Sequence, residues 1–241
     1  ACIAVLTKDH FVIIDTGAGS PVRLAQASLP MGRLDGVFFT HYHSDHISAL
    51  PDVNLASWVR GRKDSLKVFG PPGIDNVVNG FNQAFGQDFG YRTEHHGSDL
   101  LPPAAGPMTP VAIVPGQLAW ERDGLRITSF LVEHAPVAPA VGYRIDYGAR
   151  SVVISGDTNA TDTLFAAAKN ADLVLHDALS RALIDPMIET TTALNVPRMP
   201  RIMNDVLDYH ADSLSIEEKA RAAGVKQLAY YHLVPAPPNS I

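Results

Sequence analysis

A chain of 241 residues, 46% hydrophobic and only 18% charged, can bury a large core as one domain. Its net charge of −6, with no lysine- or arginine-rich run, argues against a general nucleic-acid surface though not against a small local one. No apolar run reaches the ~18–20 residues that span a bilayer, and the single cysteine, Cys2, rules out an internal disulfide. The alanine start reads as a processed or trimmed, soluble product, its compartment left open between cytoplasm and periplasm.

Short apolar runs bounded by Gly, Asp, Pro or Asn predict strands at 2–6, 11–14, 37–39, 111–114, 127–132, 141–145, 152–154, 173–175 and 228–231. Between residues 71 and 110 the chain is rich in Gly, Pro, Asn and Gln and reads as a long surface excursion. Its Phe85, Phe89 and Tyr91 could wall a substrate cleft, with plain packing slightly favoured. A helix is expected over 215–223, opened by a capping box at Ser215-x-x-Glu218 and ended by Gly224. Strands at both ends with helices interleaved predict a layered α/β arrangement, a single domain over 1–241.

Immediately after the strand at 37–39 come three imidazoles and a carboxylate in six residues: His41-Tyr42-His43-Ser44-Asp45-His46. Desolvated at a strand end, each of these groups needs a partner, and a metal ion supplies all of them at once. In extended chain His41 and His43 point the same way and can reach one ion. Asp45 and His46 follow as the chain turns into a helix, offset towards a second ion a few ångströms away. Other polar candidates repeat the placement: Asp15, His134, Asp157, His176 and His232 each close a predicted strand. Side chains at the strand ends of one sheet edge converge on a cleft.

This ligand set resembles the metallo-β-lactamase-fold hydrolase superfamily: His41-x-His43-x-Asp45-His46, His134, Ser155-Gly156-Asp157-Thr158 and a late His232. Gly142-Tyr143-Arg144, Leu173-Val174-Leu175-His176-Asp177-Ala178, Asp208-Tyr209-His210 and His232-Leu233-Val234-Pro235 resemble its ribonuclease Z-like branch, which includes arylsulfatase-like enzymes. The resemblance implies a four-layer αβ/βα sandwich and a dinuclear metal site. It implies that His41, His43 and His134 hold one Zn2+, that Asp45, His46 and His232 hold another, and that Asp157 bridges them. Mn2+ or Fe2+ could replace zinc, since every donor is nitrogen or oxygen. A bridging water acidified by two cations would be the nucleophile, with Asp45 able to orient or deprotonate it. The resemblance further implies that Asp15 supports the histidine loop, that His210 assists the leaving group, and that a homodimer is one available assembly.

Two departures shape the substrate expectation. Ribonuclease Z proteins generally carry a basic arm between the third-motif histidine and the fourth-motif aspartate, whereas His134 and Asp157 lie only 23 positions apart. No cysteine stands at a ligand position, unlike antibiotic-hydrolysing relatives. The expectation is therefore a dinuclear metal-dependent hydrolase of small-molecule phosphate or sulfate esters, or of lactones, with no nucleic-acid or membrane partner. Kept beside it are a ribonuclease Z-type transfer-RNA 3′ endonuclease, a β-lactam hydrolase and a non-catalytic metal-holding binding protein. The remaining polar groups take plainer readings. His95-His96 reads as a solvated loop, His10 as a turn residue, Arg60 and Arg62 beside Trp58 as a solvated helix end, and His176 as a hydrogen-bond partner to the ligands. The tail Pro235-Ala236-Pro237-Pro238 reads as extended.

Overall fold

The computed structural model describes residues 1–237, so Pro238 of the proline-rich tail lies outside the described residues. The chain divides into two compact units, residues 1–114 and 115–241.

The first unit runs β1 (Ile3–Leu6), β2 (Phe11–Ile14), α1 (Ser20–Gln26), β3 (Leu34–Phe38), α2 (Ser44–Ile47), α3 (Leu50–Val59), β4 (Lys67–Gly70), α4 (Ile74–His96) and β5 (Thr109–Ala112). Its five strands lie in the order β1-β2-β3-β4-β5, with only the β1–β2 pair antiparallel. Parallel strands are covered on both faces, which is why Phe11-Val12-Ile13-Ile14 is an unbroken apolar run with every residue buried. The core gathers Phe11, Ile13, Val37, Phe39, Leu50, Val53, Val68, Ile74 and Val78.

The stretch expected as a surface excursion contains the 23-residue α4. Ile74, Val78, Phe81, Phe85 and Phe89 follow a helical spacing, and along that stripe Ile74, Val78 and Phe89 are buried, Phe81 half-buried and Phe85 exposed. Ile74 and Val78 join the main core, and Phe89 packs edge-on against the buried Trp58 with ring centroids 5.9 Å apart. Tyr91 stays exposed. Gly80, Gly86 and Gly90 mask the pattern in composition, yet a Cβ at any of them would meet nothing within 4 Å. Gly86→Ala should therefore raise unfolding free energy by about 1 kcal/mol, read by denaturant titration; a loss would mean the helix is strained there.

Arg62 is neither a solvated helix end nor free to meet an anion. It is buried, with Nε donating to Ser57 Oγ at 2.9 Å and Nη2 to Asn54 Oδ1 at 2.6 Å. Nη1 donates to the carbonyls of Asp64 and Ala105. Burial pulls the guanidinium down to about 10, partly offset by Asp64.

The second unit runs β6 (Leu118–Arg122), β7 (Leu125–His134), β8 (Val137–Tyr147), β9 (Arg150–Ile154), α5 (Asp162–Ala167), β10 (Leu173–Leu179), α6 (Arg181–Ala193), α7 (Arg198–Val206), α8 (Ser213–Ala222) and β11 (Leu228–Val234). Its six-stranded sheet has the order β11-β10-β9-β8-β7-β6, antiparallel from β6 to β9 and parallel from β9 to β11. Strands β8 and β9 fill nearly all of the interval between His134 and Asp157. The expected cap of α8 moves: Asp212, not Ser215, is the N-cap, its Oδ1 accepting the Leu214 N–H at 2.9 Å. Gly224, at φ 71°, ends the helix as expected. The α/β class expected from the sequence holds, and no helix among the described residues is long and apolar enough to cross a membrane.

Candidate functional site

In the first unit the C-terminal end of β3 delivers Thr40 and the histidine cluster. Asp15, at the end of β2, is fully buried and takes a left-handed backbone (φ 57°), a cost usually borne where geometry is needed for function. Its Oδ1 accepts the Thr40 N–H at 2.9 Å; its Oδ2 accepts the Thr40 hydroxyl at 2.9 Å and the His46 Nδ1–H at 2.8 Å. Thr40 has thus spent its only hydroxyl hydrogen, so at 3.1 Å from His41 Nδ1 it accepts the His41 proton. Both neutral imidazoles are thereby set in the tautomer that leaves Nε2 with a lone pair.

Those nitrogens face other candidate ligands. His41 Nε2 lies 3.0 Å from His43 Nδ1, and His46 Nε2 lies 3.3 Å from Asp45 Oδ2. A lone-pair nitrogen facing a carboxylate oxygen at that distance is repulsive unless a cation joins them, and mixed imidazole and carboxylate donors suit a divalent ion. The residues fit a metal. The segment after Asp15 backs this loop closely: Thr16 N–H donates to His46 O at 2.6 Å, and a Cβ on Gly17 would stand 1.9 Å from the Asp45 carbonyl.

In the second unit His134 ends β7 and donates Nδ1–H to the Tyr209 carbonyl at 3.3 Å, which again turns Nε2 into the ligating nitrogen. Asp157 is buried just after Gly156, whose φ of 67° permits the turn off β9. The two are stitched together, because Glu133 N–H donates to Thr158 Oγ1 at 3.0 Å and Asn159 N–H to the Glu133 carbonyl at 3.2 Å. Asn159 Nδ2 also holds the Asp208 carbonyl at 2.7 Å, beside His210.

His232 lies inside β11, not after it. The β10–β11 register pairs Asp177 with Tyr231 and then Ala178 with Leu233, so His232 is the extra residue of a bulge, at φ 47°. The bulge re-aims its side chain, bringing Nε2 to 3.3 Å from Asp157 Oδ2. His210 stacks beside it, ring centroids 5.5 Å apart, and lies 5.7 Å from the His134 ring.

Asp177 is the functional candidate that sequence reasoning passed over. Fully buried, it accepts the His210 Nδ1–H on Oδ2 at 2.8 Å, which leaves Nε2 as the His210 nitrogen able to give or take a proton. The only sequence signal was its place in the motif after Leu173, 33 residues from its partner. His176 points elsewhere: buried, it donates Nδ1–H to the Asp177 carbonyl at 2.7 Å and stacks on Phe165. His95 and His96 sit exposed at the end of α4, and His10 pairs with Asp35 at 3.2 Å. So His41, His43, Asp45 and His46 gather with Asp15 in one unit, and His134, Asp157, His232 and His210 gather in the other. The chain carries histidine and aspartate groups able to bind divalent metal.

The family model for the metallo-beta-lactamase superfamily matches residues 1–189. A Ribonuclease Z of Mycobacterium sp. (strain KMS) is 34% identical over 228 residues, covering 94% of this chain and 75% of that protein. A Ribonuclease Z of Mycobacterium bovis (strain BCG / Pasteur 1173P2) is 35% identical over 234 residues, covering 93% and 76%. Among solved structures, the short form of human tRNase Z superposes with a TM-score of 0.66 at 19% identity, covering 97% of this chain and 85% of that one. The metallo-beta-lactamase fold protein YhfI from Bacillus subtilis also gives 0.66 at 19% identity, covering 100% and 80%.

These relatives correct the substrate expectation. The small-molecule phosphate, sulfate or lactone ester, and the exclusion of nucleic acid, give way to proteins named Ribonuclease Z that are a third identical over nearly the whole chain. The expectation had rested on the short interval between His134 and Asp157, with no room for an arm, and on the acidic balance; net charge averages over the surface, while nucleic-acid contact needs only a local cluster of cations. The coarser expectation of a metal-dependent hydrolase stands. The chain belongs to the metallo-beta-lactamase superfamily, in its ribonuclease Z-like branch.

Proposed function

We propose that the protein is a metal-dependent endoribonuclease that hydrolyses a phosphodiester at the 3′ side of precursor transfer RNA. The observation that carries this reading is the relatives' shared name over 93–94% of the chain. The buried Asp177–His210 pair supports it chemically, because a ribose 3′-oxygen is a poor leaving group and needs a proton.

In this reading His41, His43 and His134 hold one divalent ion, Asp45, His46 and His232 hold a second, and Asp157 serves both. Zinc suits the nitrogen and oxygen donors, and seven ligands exceed one tetrahedral shell. When bound, the ions supply an acidified water and charge stabilisation at phosphorus. The chain's own groups do the rest. Asp15 and Thr40 fix the tautomers of His46 and His41, and the Tyr209 carbonyl fixes that of His134. As water's oxygen bonds to phosphorus, its proton passes to Asp45, the bond from phosphorus to the 3′-oxygen breaks, and the proton on His210 Nε2 passes to that oxygen. Asp177 holds Nδ1–H throughout and keeps the imidazole aimed. The products are an upstream 3′-hydroxyl and a downstream 5′-phosphate.

The test is cleavage of an end-labelled precursor transfer RNA. Chelator-stripped protein should be inert, and zinc, manganese or iron should restore cutting with about two ions bound per chain. Metal-independent cutting, or products bearing a 2′,3′-cyclic phosphate, would sink the reading.

A further inference from the structure

In the first unit, Arg60, Lys63 and Arg92 rim a pocket of about 470 Å³ whose apolar wall includes Val59, Leu100 and Leu101. Its lining includes His96 and no carboxylate. The cations keep most of their donors uncommitted. Arg92 gives only Nε to Asp88, at 2.7 Å, and Lys63 reaches only the Asp99 carbonyl, at 3.4 Å. Arg60 makes no side-chain hydrogen bond or ion pair among the described residues. The turn that presents Arg60 and Lys63 is firm, because Arg62 between them is buried and clasped by Ser57, Asn54 and Ala105.

Helices α3 and α4 both end beside this pocket, and their negative ends favour cations. That effect accounts for positive charge but not for Val59 and Leu100, which are 54% and 63% exposed beside it. Cations next to bare aliphatic surface match a ligand with an anionic group and a flat apolar face. We propose that this pocket holds one nucleotide of a bound RNA strand, its phosphate on Arg60, Lys63 and Arg92 and its base on Val59 and Leu100. The proposal rests on the RNA reading above and deepens it. Helix α3, ten residues and so roughly 15 Å long, separates the pocket from the histidine loop. A mononucleotide in the pocket could not also reach the metal ligands; a polymer could.

The test uses the metal-loaded protein and two surface variants, Arg60→Gln/Lys63→Gln and Val59→Ser/Leu100→Ser. For precursor transfer RNA the first should raise KM about tenfold with kcat within twofold, and reduce the salt slope of binding by about 1.5–2. The second should weaken binding with the salt slope unchanged. Both should hydrolyse an activated aryl phosphodiester at the wild-type rate. Unchanged KM and salt slope in the first variant would overturn the proposal, as would lost binding of adenosine monophosphate with RNA binding intact. Anisotropy with transfer RNA and metal-free protein separates the two readings. If the wild type binds RNA through these residues but does not cut it, the nuclease reading fails and the pocket stands.

Discussion

His210→Ala should slow cleavage of precursor transfer RNA by about 10²–10⁴-fold while both metal ions stay bound. His210 donates its Nδ1 proton to Asp177, so deleting its ring removes the proton source and leaves all seven candidate ligands in place. The loss should depend on the leaving group. An RNA carrying a bridging 3′-sulfur at the cleavage site departs as a stable thiolate and needs no proton, so His210→Ala should cut it nearly as fast as the wild type. Asp177→Asn should lose almost as much as His210→Ala on ordinary RNA, since an amide can donate to Nδ1 and favour the wrong tautomer. The double variant should be little worse than either single one, because the pair acts as a unit. Equal losses on the oxygen and sulfur substrates would remove His210 from the proton-donor role.

Asp15→Ala should weaken metal binding by about 10–100-fold without removing any proposed ligand. Its carboxylate accepts the Thr40 N–H and the His46 Nδ1–H, both in a dry site. Without it, His46 can flip to the tautomer that turns a proton towards Asp45, and Thr40 is free to rotate away from His41. Asp15→Asn should recover part of the loss, its one remaining carbonyl oxygen accepting some of the three bonds. Chelator competition gives the affinity, and the absorption bands of the cobalt-substituted protein report ligand geometry independently of activity. Wild-type affinity and an unchanged cobalt spectrum in Asp15→Ala would mean that the histidine loop is held by its backbone alone.

What the sequence made legible was local. The buried parallel strands announce themselves as runs such as Phe11-Val12-Ile13-Ile14, and four polar candidates within six residues need no long-range knowledge to stand out. Long-range pairings left weaker marks. The Asp177–His210 bond joins residues 33 apart, and the bulge at His232 depends on a register that no single strand encodes. Helix α4 was hidden differently: its three solvent-facing glycines swayed a reading by composition, while the 74, 78, 81, 85, 89 stripe carried the answer. The strand β4, Lys67-Val68-Phe69-Gly70, carries only two apolar side chains, Val68 and Phe69, a shorter run than any read as a strand. Substrate was least legible, because neither an overall charge of −6 nor the short interval between His134 and Asp157 shows where a local cluster of cations stands.

The most direct test of the account compares kcat/KM, under identical metal-loaded conditions, for a precursor transfer RNA and for activated aryl phosphate, aryl sulfate and lactone substrates. The account predicts a single cut at the 3′ side of the precursor, with kcat/KM at least about 10³-fold above that of any small ester, a gap of roughly 4 kcal/mol in transition-state stabilisation. Efficient turnover of a small ester with the precursor left intact would contradict it.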